Sequence, residues 1–277
     1  MKRLALISVL LTLGLALRAQ DDTLEVDRFQ PLDSLLTQFY GALAMEQNSV
    51  KCAEMDGLID TCRDSLARQH VALQIYDHYS HSRLMGEEEV AIHIYDKWFK
   101  TGLIKSRSEF EDMDMQLFCN FNRSTLIGMT APQVSLYKPC GGTVTVPQGG
   151  KVSVLFFYDT TCAKCRVEVQ VLPRVISEID FPVEFYAVYA GADKASWRRF
   201  RKNFRFRNKS VHVTHLWDPE MESDYQRLYG VISTPKMYVA LEDGEIVGRR
   251  LEVVNLQEII HYISAVYGKE TQQNQDD

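Results

Sequence analysis

The chain has 277 residues, 45% of them hydrophobic, and its 37 acidic against 31 basic side chains give a formal net charge of −6. That balance argues against nucleic acid as a general partner. Beyond the first twenty residues no stretch approaches the roughly 18 apolar residues of a membrane span, which excludes an integral membrane protein of the helical kind and predicts a soluble mature chain.

The opening segment, MKRLALISVLLTLGLALRAQ, has the form of a secretory signal. Lys2 and Arg3 supply the basic start, Leu4 to Leu17 the apolar stretch, and Leu17-Arg18-Ala19 a small-residue exit with cleavage expected after Ala19. The alternative is an uncleaved N-terminal anchor. No cysteine follows the cleavage region, which argues against a lipoprotein. Cleavage removes Lys2, Arg3 and Arg18 and no acid, leaving 28 bases against 37 acids. Either way the folded part is expected in an oxidising compartment, periplasmic or secreted. All six cysteines (Cys52, Cys62, Cys119, Cys140, Cys162, Cys165) survive cleavage, and an even count in an exported chain permits up to three disulfides without fixing the pairing.

From about residue 20 to 127 the pattern is helical, with apolar residues at Leu32, Leu35, Leu36, Phe39 and Tyr40 and almost no strand-like alternation. Further helices are predicted over Cys52 to Arg68, His70 to His81, Glu87 to Phe99 and Arg107 to Phe121, with breaks at Arg83 to Gly86 and at Thr101-Gly102. Cys52 and Cys62 either form a disulfide bracketing a helix or remain free thiols. Cys119 and Cys140 straddle the expected domain junction and offer a second pairing. His70, His78 and His81 lack a second ligand pair at zinc spacing, so no metal is expected.

At Gly128 the texture changes to short β-branched runs, and a second domain is expected over residues 128 to 268. Predicted strands run over Val134 to Tyr137, Thr143 to Val146 and Val152 to Asp159; a helix follows from Cys162 to about Glu178. Next come a strand at Val183 to Tyr189, a helix capped by Asp193, and a strand at Val211 to Trp217. Asp218-Pro219 predicts an N-cap and first-turn proline for a helix ending near Gly230. Strands at Lys236 to Leu241 and Glu245 to Leu251 flank a hairpin turn, and Asn255 with Glu258 predicts a capping box on the closing helix. Crossover helices imply a parallel sheet centre and the hairpin an antiparallel edge. The fold class is therefore an all-α N-terminal domain plus an α/β domain with a mixed sheet. The polar tail from Lys269 (269–277) predicts disorder.

Cys162-Ala163-Lys164-Cys165 sits where the apolar strand meets its helix. Unpaired N–H groups and the macrodipole at a helix start place roughly half a positive charge beside the first cysteine, favouring its thiolate. A thiol with a pKa of about 8.5 is about 3% thiolate at pH 7, and lowering that to about 7 raises it to roughly half. The second thiol lies one helical turn on, within reach of a small disulfide. Cys162 is thus the expected attacking group and Cys165 the resolving one. Lys164 adds a nearby positive charge. Along the helix 194–203, Trp197, Phe200 and Phe204 fall on one face and the bases on the other, which predicts a solvated basic face.

Three separated pieces resemble the thioredoxin superfamily: VSVLFFYDTTCAKC, the Val231 to Pro235 segment, and the hairpin MYVALEDGEIVGRRL. The opening GMTAPQVSLYKPCGGTVTV and the extra segment around Trp197 to Trp217 look like the exported TlpA/ResA-like redoxins. The N-terminal half resembles a helical domain of unknown function that precedes such domains. The resemblance implies a cis-Pro235 facing the cysteines, with Thr234 and Pro235 positioning a substrate strand. It also matches Glu168, three residues after Cys165, to a carboxylate used as an acid/base group in the reductase branch. The buried carboxylate of cytoplasmic thioredoxins, six residues before the first cysteine, is replaced by Phe156. Asp159 is a second acid/base candidate, expected rather as a turn or cap residue; a peroxidase would need threonine there.

The function this implies is a thiol-disulfide oxidoreductase, a reductase or isomerase acting on protein disulfides, with no cofactor and a membrane-bound thiol as electron donor. The alternative is a non-enzymatic binding protein in which Cys162 and Cys165 form a static bridge.

Overall fold

The computed structural model describes the backbone of residues 28–204 and 208–276, with side chains up to residue 266. The expected signal segment lies outside the described residues. No helix among them is long and apolar enough to cross a membrane. The chain divides into two compact units, Met1–Arg123 and Ser124–Asp277.

The first unit is helical. Helix α1 (Gln30–Leu43) starts on Pro31 and buries Leu32, Leu36, Phe39 and Leu43, one stripe at three- and four-residue spacing. Helix α2 (Asn48–Thr61) buries Met55, Leu58 and Ile59, and α3 (Ser65–Ser80) buries Val71, Ile75, Tyr76 and Tyr79. The single helix predicted across Cys52 to Arg68 is in fact two. Cys62 leaves the helical region, and Asp64 caps α3 by accepting the Ala67 N–H at 2.8 Å. Helix α4 (Glu88–Ile94) runs on through a π turn, Tyr95–Phe99, and α5 (Glu109–Asn122) is capped by Ser108. A buried ion pair, Lys51 Nζ to Glu87 Oε1 at 2.5 Å, ties α2 to the loop before α4.

Cys52 lies inside α2 and Cys62 at its C-cap, and ten residues of helix separate them by about 15 Å, far beyond a disulfide's Cα span. Of the two alternatives for this pair the free thiols hold, and all six cysteines are free. His70 hydrogen-bonds Asp33 at 2.6 Å and His78 stacks on Tyr40, so each has a structural partner.

The second unit holds a seven-stranded sheet in the order β2-β1-β5-β4-β3-β6-β7. The strands are β1 (Val134–Tyr137), β2 (Thr143–Val146), β3 (Val152–Tyr158), β4 (Val183–Tyr189), β5 (Val211–Trp217), β6 (Lys236–Ala240) and β7 (Ile246–Arg249). Strands β3, β4 and β5 are parallel, with Tyr158, Tyr189 and Trp217 in register at their carboxyl ends. Strand β6 runs antiparallel to β3 and to β7, and β1 antiparallel to β2 and β5.

Every residue of β3 is buried, because the strand is covered on both faces. On one face Val154, Phe156 and Tyr158 meet α6 (Ala163–Ser177), α7 (Lys194–Asn203) and α9 (Val253–Asp276) through Leu172, Ile176, Trp197, Leu256 and Ile260. On the other, Leu155 and Phe157 pack with Tyr225, Tyr229 and Tyr238. Each such side chain contributes about 1.5–3 kcal/mol on burial, so β3 is the main anchor of the loop that follows it.

Two helices differ from expectation. Helix α8 is only Tyr225–Leu228, because Asp218 is spent on a loop, its carboxylate accepting the Glu222 and Ser223 N–H groups. Helix α9 starts at Val253, ahead of Asn255, whose side chain accepts the Glu252 N–H at 3.4 Å. Its bounds are Val253–Asp276. Lys, Glu and Gln are good helix formers, which suits extension from a packed start.

Candidate active site

The end of β3 delivers the CxxC to the carboxyl edge of the sheet, where open α/β sheets place their crevice. Asp159 accepts the Thr161 N–H and hydroxyl, each at 2.8 Å, and its carbonyl accepts the Cys162 N–H at 3.3 Å. The chain is thereby turned into α6 with Cys162 as its N-cap residue, φ −70° and ψ 119°. The Cys162 sulfur itself performs the capping, accepting the Cys165 N–H at 3.0 Å.

The partner loop arrives by strand register. Phe157 lies opposite Lys236, so the residues just before β6 flank the chain leaving β3. Thr234–Pro235 is cis, as the resemblance implies, and the Cys162 thiol donates to the Thr234 carbonyl at 3.2 Å. Cys162, Cys165 and Thr234 thus converge. A second cis bond, Val146–Pro147, follows β2, and no local signal marks it.

The two sulfurs have different surroundings. Cys162 is half-buried and Cys165 only 1% exposed. Burial raises the Cys162 thiol, but hydrogen bonds from Cys165, the Thr234 side chain and the Lys164 backbone outweigh it and hold the thiol below its ordinary value. Burial and then the neighbouring Cys162 push the Cys165 thiol up to about 12, against a weaker opposing hydrogen bond from the Thr234 side chain. Thr234, on the loop before β6, therefore bears on both thiols, its carbonyl accepting from Cys162 and its side chain opposing the rise of Cys165, which the cysteine spacing alone did not reveal.

The remaining predicted residues are placed as follows. Phe156 is fully buried and packs on Tyr158 and Phe204 in an aromatic layer. Glu168 Oε2 accepts the Val253 N–H at 2.7 Å, at the start of α9. Lys164 Nζ lies 2.5 Å from Glu252 Oε1, a partner 88 positions away in sequence. On α7 and its C-cap, Trp197 and Phe204 are buried, Arg198, Arg199 and Lys202 are exposed, and the Arg201 guanidinium lies 4.9 Å over the Trp197 ring.

No family model and no curated protein matches the chain. Among solved structures, a thioredoxin-like protein from Bacteroides caccae is similar at a TM-score of 0.67 and 13% identity, with 87% of each chain covered. The thioredoxin domain of a thiol-disulfide oxidoreductase from Bacteroides vulgatus is similar at a TM-score of 0.43 and 19% identity, covering 50% of this chain and 96% of its own. A thiol:disulfide interchange protein from a Bacteroides species reaches 0.42 at 19% identity, covering 50% and 90%. The first likeness shows the fold: an N-terminal helical region followed by a thioredoxin-like mixed sheet flanked by helices. At their scores the other two add nothing to that assignment.

Proposed function

We propose that this thioredoxin-fold chain is a thiol-disulfide oxidoreductase working through Cys162 and Cys165 on protein disulfides. The observation that carries the reading is the asymmetry of the pair: an N-cap sulfur held toward its thiolate, beside a buried thiol held toward its protonated form. A static bridge needs no such difference.

The chemistry runs in two displacements. The Cys162 thiolate attacks one sulfur of a substrate disulfide, forming a mixed disulfide and expelling the other sulfur as a thiolate. Cys165 then passes its proton to that leaving thiolate or to solvent and attacks Cys162. The second substrate sulfur leaves as a thiolate, and the enzyme is left with a Cys162–Cys165 disulfide. Two electrons pass from the dithiol to the substrate. Returning them needs a thiol donor, for which the resemblance implies a membrane-bound protein.

Thr234 and Pro235 are proposed to position the substrate strand, since a chain pairing there would bring its sulfur beside Cys162. A periplasmic or secreted location is proposed on the signal-like first residues. The test is Cys165→Ser expressed with its own first 19 residues. Trapped mixed disulfides on Cys162, with catalysis of insulin reduction by the unaltered chain, are the expected result. No catalysis and no trapped partner would leave the binding-protein reading in its place.

A further inference from the structure

The start of α9 is fixed to the redox helix at two points and to β6 at a third. Arg250 takes a left-handed backbone with φ 52°, and the Leu251 N–H bonds the Met237 carbonyl at 3.0 Å. The Val253 N–H bonds Glu168 on α6 at 2.7 Å. Between these pins stands Glu252, whose carboxylate meets the Lys164 ammonium at 2.5 Å. Lys164 lies in the first turn of α6, two residues past Cys162.

We propose that Glu168 and Glu252 are positioning residues of the redox pair: Glu168 anchors the start of α9 to α6, and Glu252, carried on that start, holds the Lys164 ammonium away from Cys162. The inference rests on the proposed redox role of Cys162. It gives Glu168 a duty different from proton transfer, since a carboxylate accepting a backbone N–H at a helix start is engaged as a cap.

The charged groups facing Lys164 are Glu252, Glu168 and Cys162. Cys162 in turn meets Cys165, the Thr234 side chain and the Lys164 backbone, while the Asp159 carboxylate on the β3–α6 loop is turned to Thr161. Neutralising Glu252 therefore frees one positive charge next to the attacking sulfur. Lys164 and Glu252 are both exposed, with 56% of each side chain accessible, so screening keeps the effect small.

The experiment is the pH profile of Cys162 alkylation in the reduced chain, read by mass spectrometry at low and high salt. Glu252→Gln is expected to lower the Cys162 pKa by about 0.3–0.5 unit at low salt, a two- to threefold larger thiolate fraction below the pKa. The shift is expected to shrink at high salt and mostly to vanish in a Lys164→Ala background. Glu168→Ala, which loosens the anchor, is expected to shift the profile in the same direction without adding fully to Glu252→Gln. No shift in Glu252→Gln, an equal shift without Lys164, or fully additive shifts would overturn the proposal. Thiol titration does not depend on turnover. A chain that reduces no disulfide defeats the proposed function, whereas an unmoved profile in a chain that does reduce disulfides defeats only this inference.

Discussion

Alkylating the reduced protein at pH 7 with iodoacetamide, and following each cysteine by peptide mapping, tests the asymmetry of the pair directly. A thiol with a pKa of about 12 is about one part in 10⁵ thiolate at pH 7, and one held below the ordinary value of 9.0 is above about one part in 100. The thiolate ratio between Cys162 and Cys165 is thus at least about 10³. Intrinsic nucleophilicity falls with pKa with a coefficient of about 0.4–0.5, which over three units returns a factor of about 20–30 to Cys165. The net expectation is Cys162 reacting at least about 30-fold faster, before the burial of Cys165 widens the gap. Its rate should also rise with pH and level off below pH 9, while that of Cys165 keeps rising. Equal initial rates, or Cys165 reacting first, would refute the reasoning.

Thr234→Val keeps the side-chain shape and removes the hydroxyl that lowers both thiol pKa values. It is expected to raise the Cys162 pKa by about 0.5–1 unit, because a hydrogen bond to a charged group is worth about 1.5–3 kcal/mol and other donors remain; the same alkylation profile measures it. In the helical unit, Lys51→Met leaves Glu87 buried without its cation, with side chains only 4% and 7% exposed in the pair. A loss of about 3–5 kcal/mol is expected in urea unfolding followed by circular dichroism, and an unchanged midpoint would contradict it.

Where a signal was local, the sequence revealed the structure. The apolar run Val152 to Tyr158, bounded by Gly149-Gly150 and the CxxC, became β3, and Asp193 caps α7 through the Ala195 and Ser196 N–H groups. Two acidic residues show the limits of that logic. Asp64 has the chemistry of an N-cap, yet the apolar period runs through it, so the break at Cys62 was hidden. Asp218 precedes a proline in the classical order of a helix start, but its carboxylate closes a five-residue loop instead. Both outcomes turn on which N–H groups come within reach, and composition does not record that. The site divided the same way: the spacing of Cys162 and Cys165 was readable, and the pairing of Lys164 with Glu252 was not, since the fold alone brings α6 beside the start of α9.

Phe156 has a further consequence. With an aromatic ring fully buried at the position of an ionisable group, the dithiol couple has no proton reservoir of its own there. For the proposed redox pair, the midpoint potential is then expected to follow the two thiols: a fall of about 59 mV per pH unit below the Cys162 pKa, where two protons accompany two electrons, and of about 30 mV per unit above it, until Cys165 ionises near 12. A potential-against-pH line with one bend, rather than two, is what that aromatic side chain is expected to write into the proposed dithiol couple across the neutral range.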